Sequence, residues 1–229
     1  NIRSIKRSVV PKPVTEGAGV KLKRSIALPE LDHVDPFLLF DHFGSDDPED
    51  YLKGFPLHPH RGIETVTYMM AGKVAHKDSL GNAGTIHAGD VQWMTSGSGI
   101  MHEEMPRPVD GRMEGFQLWV NLPARLKMSD PNYQEVTADK LPAVTRGDGT
   151  RIVVVAGEVD GIRGPVTEIA IAPVYMDVSL PAGAVFTQPV PRGHAAIAYV
   201  FEGGGRWGDD AADEAVQATT MLVFDDGDR

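Results

Sequence analysis

The chain contains no cysteine among its 229 residues. This absence excludes disulfide bonds, thiolate metal ligands and a cysteine nucleophile, and it is compatible with a reducing compartment. The sequence also lacks any run of about 18 uninterrupted apolar residues, so it predicts no membrane-spanning helix. The first ten residues are basic but lack the apolar core of a secretory signal. We therefore expect a cytoplasmic protein, or also a nuclear one in a eukaryote.

Acidic residues outnumber basic residues in this sequence. The formal net charge is −10, whereas broad binding of nucleic-acid phosphates needs a surplus of lysine and arginine. A small basic cluster at Lys21, Lys23 and Arg24 is more typical of a solvated strand face than of a binding patch. We expect neither direct nucleic-acid binding nor membrane binding.

Helical periodicity is rare as well, and short strand-like runs take its place. Examples are TVTYMM at 65–70, FQLWVN at 116–121 and IVVVA at 152–156, each bounded by turn residues. Two brief segments, 46–52 and 123–127, are the best helix candidates. The 25 glycines and 17 prolines indicate a chain that turns often. The sequence therefore predicts an all-β sandwich or barrel.

An internal repeat divides the chain. HPHRGIETVTYMMAG, beginning at His58, matches PVPRGHAAIAYVFEG, beginning at Pro189, at an offset of 131 residues (189 − 58). The match aligns an Arg-Gly step, a tyrosine and a closing glycine, but Pro189 and Pro191 replace His58 and His60. Because proline cannot ligate a metal, the second half is predicted to share the fold of the first without its site.

The polar segment 128–150 lacks strong periodicity, and we interpret it as the connection between the two halves. The prediction is an N-terminal metal-binding domain at 1–130 and a C-terminal domain without metal ligands at 131–229. A second half built like the first would need more chain after the strand-like run at 221–224. We therefore expect the sequence to be incomplete at its C-terminus.

Four side chains carry the strongest chemical signal. His58 and His60 stand two residues apart, and His102 and Glu104 repeat that spacing. Alternate side chains of a strand share a face, so each pair is able to reach one ion, while Glu103 points away. HPH alone fits an exposed loop equally well, but two spaced pairs favour a metal site. Three histidines and a carboxylate leave room for water or substrate, as a catalytic metal site requires.

Other motifs give weaker signals. The SGSG segment at 96–99 predicts a tight bend, and because no helix signal follows it we reject a nucleotide-binding role. The remaining histidines lack the spacing of the two pairs. We interpret them as solvent-facing or locally hydrogen-bonded: His33, His42, His76, His87 and His194.

Three segments resemble the pirin family. The stretch HPHRGIETVTYMMAG is similar to the first cupin motif, in which an H-x-H pair precedes a glutamate and a closing glycine. GDVQWMTSGSGIMHEEMP at 89–106 resembles the second cupin motif in its pirin form, where a ligating glutamate follows the final histidine by two residues. FQLWVNLP at 116–123 resembles the pirin segment that comes next. The resemblance is strong over residues 25–125.

The resemblance implies a bicupin, in which two antiparallel jelly-roll barrels pack together and only the N-terminal one holds a metal. It implies Fe(II) as the ion, although the ligand types leave Mn, Ni, Cu and Zn open. It also implies a quercetin 2,3-dioxygenase-like oxidoreductase, which opens the ring of a flavonol with O2. We expect O2 and a small aromatic or enolic substrate as partners, and a monomer. Glu104 is assigned as a ligand and as the base that takes the substrate's proton.

A second class of function stays open. The resemblance also implies a non-catalytic, iron-binding regulator whose redox state tunes contact with a protein partner. A deep apolar pocket around the ion favours the enzyme, whereas a broad charged patch favours the regulator. A cupin enzyme with another small-molecule substrate is a third alternative.

Four further residues are candidate pocket residues. Glu64 follows His60 by four positions, which predicts the same strand face. It could be a ligand, as in many cupins, a salt-bridged residue or, as we favour, a partner that orients a ligand imidazole. Phe55 either lines the pocket mouth or packs against a turn. Gln117 could hydrogen-bond a substrate or a bound water, or be an ordinary core contact, and Trp93 lies on a strand of the same half.

Overall fold

The structure is a computed structural model that describes residues 1–107, 109, 111–208 and 215–229. Strands dominate these residues, and the only helices described are short 3-10 turns at Pro48–Asp50, Ala124–Leu126 and Ala138–Lys140. The N-terminal strands are β1 (Ile5–Val9), β2 (Lys12–Glu16), β3 (Val20–Ile26), β4 (Phe37–Ser45), β5 (Phe55–His60), β6 (Ile63–Ala71), β7 (Lys73–Asp78), β8 (Ala83–His87), β9 (Val91–Thr95), β10 (Ile100–Arg107) and β11 (Met113–Asn121). The remaining strands are β12 (Asn132–Val136), β13 (Ala143–Thr145), β14 (Arg151–Ala156), β15 (Glu158–Val159), β16 (Ile162–Arg163), β17 (Tyr175–Ser179), β18 (Ile197–Val200), β19 (Gly204–Gly205), β20 (Val216–Gln217) and β21 (Thr220–Phe224).

Two sheets form the N-terminal half. One has seven strands in the order β12-β9-β6-β11-β4-β3-β2, and the other has four in the order β5-β10-β7-β8. Every described pairing between neighbouring strands in these sheets is antiparallel. Side chains from both sheets, such as Met69 and Met113 of the larger and Val74 and Ile86 of the smaller, form one buried cluster. The two sheets therefore pack face to face.

The seven-stranded sheet buries both of its faces. Along β6, Val66 and Tyr68 point away from the four-stranded sheet, into a cluster that also contains Val153 and Val155 of the C-terminal half. Met69 lies in the cluster between the two N-terminal sheets. Because strand side chains alternate between faces, one sheet contributes both to the core between the two N-terminal sheets and to the core between the halves.

The C-terminal half contains smaller sheets, ordered β13-β14-β17 and β1-β21-β18. The N-terminal strand β1 pairs with β21, so the start of the chain lies in the second half. The repeat relation is visible in the core: Tyr68 and Tyr199, which the sequence repeat aligns, both pack against Phe116. Their ring centroids lie 6.5 Å and 5.8 Å from that of Phe116.

The predicted all-β class is confirmed, and the three predicted strand runs lie in β6, β11 and β14. The two helix candidates contain single 3-10 turns. The predicted connection at 128–150 differs, because it contains β12, which hydrogen-bonds β9 within the seven-stranded sheet. The domain boundary at residue 130 stays a prediction. No described helix has the length and apolar character needed to cross a membrane.

Candidate metal centre

β5 carries the first histidine pair at the edge of the four-stranded sheet. His58 is half-buried and His60 is buried, whereas Pro59 between them is exposed, as the alternation of a strand requires. The strand ends at His60, and Gly62, with a φ of 69°, turns the chain toward β6 in the opposite sheet. Glycine adopts this positive φ without the steric cost of a side chain.

β10 brings the second pair beside the first. His102 lies directly opposite His58 in the antiparallel register, so their side chains share a face of the sheet. The register then shifts, and Glu104 lies opposite Phe55. An irregularity of this kind bends a strand and re-aims its side chains. Because of this shift, the Glu104 side chain is oriented differently from the histidine side chains.

Three imidazoles converge. A ring nitrogen from each of His58, His60 and His102 lies within 4.8 Å of the other two. The Nε2 atoms of His58 and His60 are 3.0 Å apart, and the ring centroids of His58 and His102 are 4.5 Å apart. Two facing imidazole nitrogens at this distance suit a shared cation, because metal–nitrogen bonds of about 2.0–2.1 Å hold ligand atoms roughly this close. The histidine cluster could therefore hold a metal ion.

The protonation of the rings also fits a metal. Burial, together with the neighbouring His102 and His58, lowers the pKa of His60 to about 4. Burial likewise lowers the pKa of His102 to about 4. Nδ1 of His58 lies 2.9 Å from the carbonyl oxygen of Pro56, an acceptor, so Nδ1 carries the proton and Nε2 presents its lone pair. Imidazoles with free lone pairs are the form that binds metals.

His102 supplies an independent test of the fit. Its side chain is 1% exposed, and neither ring nitrogen has a hydrogen-bond partner among the described residues. Buried polar atoms in proteins are almost always paired. A metal bound by one ring nitrogen would satisfy that atom, so the residues present fit a metal ligand set.

Glu104 stands beside the cluster. Its Oε2 lies 3.9 Å from Nε2 of His102, and its side chain is 12% exposed. Burial raises the pKa of Glu104, while His58 and His60 act in the opposite direction. A carboxylate held in a poorly hydrated place next to neutral imidazoles gains stabilisation when a cation arrives. The described contacts place it near the histidines, and its role as a fourth ligand stays a prediction.

A cavity of about 380 Å³ opens beside His60. The Trp119 ring packs edge-on to the His60 ring at 5.1 Å between centroids. Other lining residues are apolar, except for one cation, and they include Leu38, Leu39, Ile63 and Arg61. Trp119 was not among the residues predicted for the site, although it is two positions after Gln117 on the same strand.

Two of the four predicted pocket residues lie on the histidine side. Phe55 is half-buried, with its ring centroid 6.3 Å from that of His58. Gln117 shares a strand face with Trp119 because the two are two residues apart on β11. Its amide oxygen accepts a hydrogen bond from the hydroxyl of Thr67 at 2.9 Å. Their roles toward a substrate stay predictions.

The structure does not bring Glu64 and Trp93 to the histidines. Both belong to the opposite face of the seven-stranded sheet, since Trp93 and Val120, the cross-strand partner of Glu64, lie in the core between the halves. Glu64 is 1% exposed and accepts a hydrogen bond from the Thr95 hydroxyl at 3.0 Å. The predicted shared face is wrong because the chain leaves one sheet after His60 and enters the other before Glu64.

The remaining histidines divide into two groups. His33, His87 and His194 are exposed, as predicted. His42 and His76 are buried, so the first of the two predicted alternatives, a solvent-facing position, is wrong for both. His42 contacts the Tyr199 hydroxyl at 3.0 Å and Glu114 at 3.1 Å. His76 lies on β7, in the same sheet as the candidate metal site, and no sequence spacing pointed to it.

The fold and the histidine cluster together define a cupin-type protein with a candidate metal centre. The Pirin family model matches residues 19–120. A pirin-like protein of Caulobacter vibrioides is 48% identical over 213 residues, covering 93% of this chain and 77% of that protein. Human pirin is 40% identical over 227 residues, covering 99% and 76%. The crystal structure of a quercetin 2,3-dioxygenase from Acinetobacter baumannii superposes with a TM-score of 0.87 at 32% identity, covering 100% of this chain and 81% of that one. The chain belongs to the pirin family.

Proposed function

We propose that this protein is a metal-dependent dioxygenase of the pirin type, which uses O2 to open the ring of a flavonol such as quercetin. The observation that carries the proposal is the cluster of three imidazoles, two of them buried, beside the Glu104 carboxylate. The similarity to the dioxygenase from Acinetobacter baumannii supports the choice of substrate class.

We assign His58, His60 and His102 as the metal ligands, with Glu104 as the fourth. When bound, the metal would supply a coordination site for a deprotonated substrate hydroxyl and an electron path to O2. Fe(II) is the first choice, and the mixed nitrogen and oxygen ligands are also compatible with Mn, Ni, Cu and Zn.

Glu104 is assigned a second role as the general base. Its Oε2 lies 3.9 Å from Nε2 of His102, so a hydroxyl group that approaches the histidines also approaches the carboxylate. Burial raises the pKa of Glu104, so its carboxylate, once it loosens from the ion, would accept a proton readily. A base next to the ligand cluster takes the hydroxyl proton as the substrate binds.

The cavity beside His60 suits an aromatic substrate. Its volume of about 380 Å³ lies within the range of small-molecule sites. Trp119 offers an indole ring and Leu39 an aliphatic side chain against which a substrate ring would pack. A mostly apolar cavity that reaches one candidate ligand, His60, favours the enzyme over the alternative, an iron-binding regulator without catalysis.

Oxygen uptake tests the proposal. The protein is loaded with Fe(II) without air, mixed with quercetin, and oxygen consumption and carbon monoxide release are followed. We expect turnover that is lost in the H58A and E104A variants. An absence of turnover in wild-type protein loaded in turn with Fe, Mn, Ni, Cu and Zn contradicts the dioxygenase assignment and leaves the regulator as the better account.

A further inference from the structure

A second cluster of polar side chains, only part of it buried, lies next to the candidate metal centre, on the side away from the cavity. We define it as the β7–β12 polar cluster, formed by His76, Asp78, Tyr133, Glu135 and Gln92. His76 belongs to the four-stranded sheet, whereas Tyr133, Glu135 and Gln92 come from strands β12 and β9 of the sheet opposite. The cluster therefore bridges the two sheets beside Glu104.

The register connects His76 with Glu104. On β7, His76 lies directly opposite Glu104, and Asp78 lies directly opposite His102. Directly opposed side chains of an antiparallel pair have their Cβ atoms about 4.5–5.5 Å apart on one face. The pairing of β10 with β7 is regular from His102 to Arg107, whereas its pairing with β5 shifts between His102 and Glu104. The backbone position of Glu104 is therefore determined by its regular pairing with β7.

His76 is itself held in place by Glu135. Nε2 of His76 lies 2.6 Å from Oε1 of Glu135, and the His76 side chain is 2% exposed. The two atoms are in contact, but the ring is not aligned for a linear hydrogen bond. Gln92 donates a hydrogen bond from its amide to the same carboxylate oxygen at 2.8 Å. The Tyr133 ring stacks on the imidazole at 5.9 Å between centroids.

The backbone leaves room for this arrangement. A Cβ atom at Gly84 of β8, the residue opposite His76, would lie 2.7 Å from Nε2 of His76 and 3.3 Å from Oε2 of Glu135. Nδ1 of His76 is buried and has no hydrogen-bond partner among the described residues. The Glu104 side chain, which belongs to the residue directly opposite His76, lies on the same face of the sheet as this imidazole.

We infer that His76, clamped by Glu135, is a positioning residue that holds the Glu104 carboxylate toward the metal. The inference rests on the metal site of the proposed function but not on its substrate. Partners that orient metal ligands typically change metal affinity about 10–100-fold when removed. The His76–Glu135 pair thereby determines how tightly the site binds its ion.

Metal affinity measured without substrate tests this role. The dissociation constant for Co(II) alone is measured by chelator competition in wild type, H76Q and E135Q. We expect both variants to bind Co(II) about tenfold more weakly or worse, with an altered visible spectrum of the bound ion. Because Glu135 is 46% exposed, E135Q tests the pair even if H76Q fails to fold.

His42 provides a matched control. It is also a buried histidine paired with a glutamate, Glu114, but it lies on β4 and packs against Tyr199 of the C-terminal half. H42Q is expected to retain Co(II) affinity within about twofold. An equal loss in H42Q, or unchanged affinity in H76Q and E135Q, overturns the inference.

The route through Glu104 is tested by combining variants. If His76 acts through Glu104, the H76Q substitution has no further effect on Co(II) affinity in an E104Q background, because coupled residues are non-additive. An undiminished effect in that background contradicts the route. Failure of wild-type protein to bind Co(II) removes the metal site itself and with it the proposed function. Intact wild-type binding that the H76Q and E135Q substitutions leave unchanged removes only the inference.

Discussion

His58 and His102 lie directly opposite each other on β5 and β10, with their ring centroids 4.5 Å apart. This cross-strand pair is the centre of the candidate site. His60 follows His58 on β5 and Glu104 follows His102 on β10, so each strand places a second candidate ligand beside the pair. The strand register therefore brings the three imidazoles together, and we expect an ion bound there to stabilise this geometry.

Metal binding is expected to raise the thermal stability. A ligand that binds only the folded state at a concentration 100 times its Kd adds about 2.7 kcal/mol. For a chain of this size that free energy raises Tm by roughly 5–10 °C. Differential scanning calorimetry with and without Co(II) measures the shift. H102A should show no shift, and a shift of full size in that variant would contradict the ligand assignment.

Removing the indole beside His60 is expected to weaken substrate binding. W119A should raise KM for quercetin about tenfold, which corresponds to about 1.4 kcal/mol of lost contact, while the Kd for Co(II) stays within about twofold. Steady-state kinetics and chelator competition give the two numbers. Trp207, which packs against Phe224 at 5.8 Å, supplies a control variant, W207A, whose KM should not change. An unchanged KM in W119A argues that the substrate binds elsewhere.

Filling the space at Gly84 is expected to destabilise the fold. In G84A the new methyl group would lie 2.7 Å from Nε2 of His76, and overpacking of this kind typically costs about 1–3 kcal/mol. Urea denaturation measures the free energy of unfolding. A methyl group at Gly147 would have no atom within 4 Å, so G147A should be within about 0.5 kcal/mol of wild type. Equal stability of G84A and G147A contradicts the packing of the polar cluster.

The contact between the halves predicts a pH dependence. The Tyr68 hydroxyl donates a hydrogen bond to Asp177 at 3.0 Å, and burial raises the pKa of Asp177, while that hydrogen bond opposes the rise. A raised pKa in the folded state means that protonation stabilises the fold. This stabilisation is complete below the ordinary pKa of 3.8 and is lost as pH rises through the raised value.

The D177N variant isolates that contribution, because it removes the titrating group and keeps an oxygen that accepts from Tyr68. The free energy of unfolding of wild type, minus that of D177N, should increase as the pH is lowered from neutral through the raised pKa of Asp177. Urea titrations at a series of pH values measure the difference. A difference that stays constant or decreases shows that the folded state does not disfavour the ionised carboxylate.

The sequence was sufficient to predict that the three histidines lie together, but not to predict the residues around them. His58 and His60 on one strand, and His102 on another, are recognisable because the period of a strand is two residues. The same rule fails for Glu64, because two residues at the turn carry the chain from one sheet to the other and reset which face each side chain occupies. Residue spacing predicts a shared face only within one strand.

The residues around His76 show a second limit. Glu135 lies in the segment that was predicted to be a connection, because its strand β12 alternates polar residues with few apolar ones. That strand contributes Tyr133 and Glu135 to a polar cluster rather than to an apolar core. Hydrophobic patterning does not detect a strand whose inward side chains are polar.

The location of the bound ion decides whether the four assigned ligands form one site. A crystal of Co(II)-loaded protein, with anomalous diffraction recorded at the metal edge, gives that location independently of activity. We predict one ion about 2.0–2.2 Å from a ring nitrogen of His58, His60 and His102 and from an oxygen of Glu104. An ion bound at any other place, or three histidines that remain unligated in the presence of excess metal, would contradict the assignment.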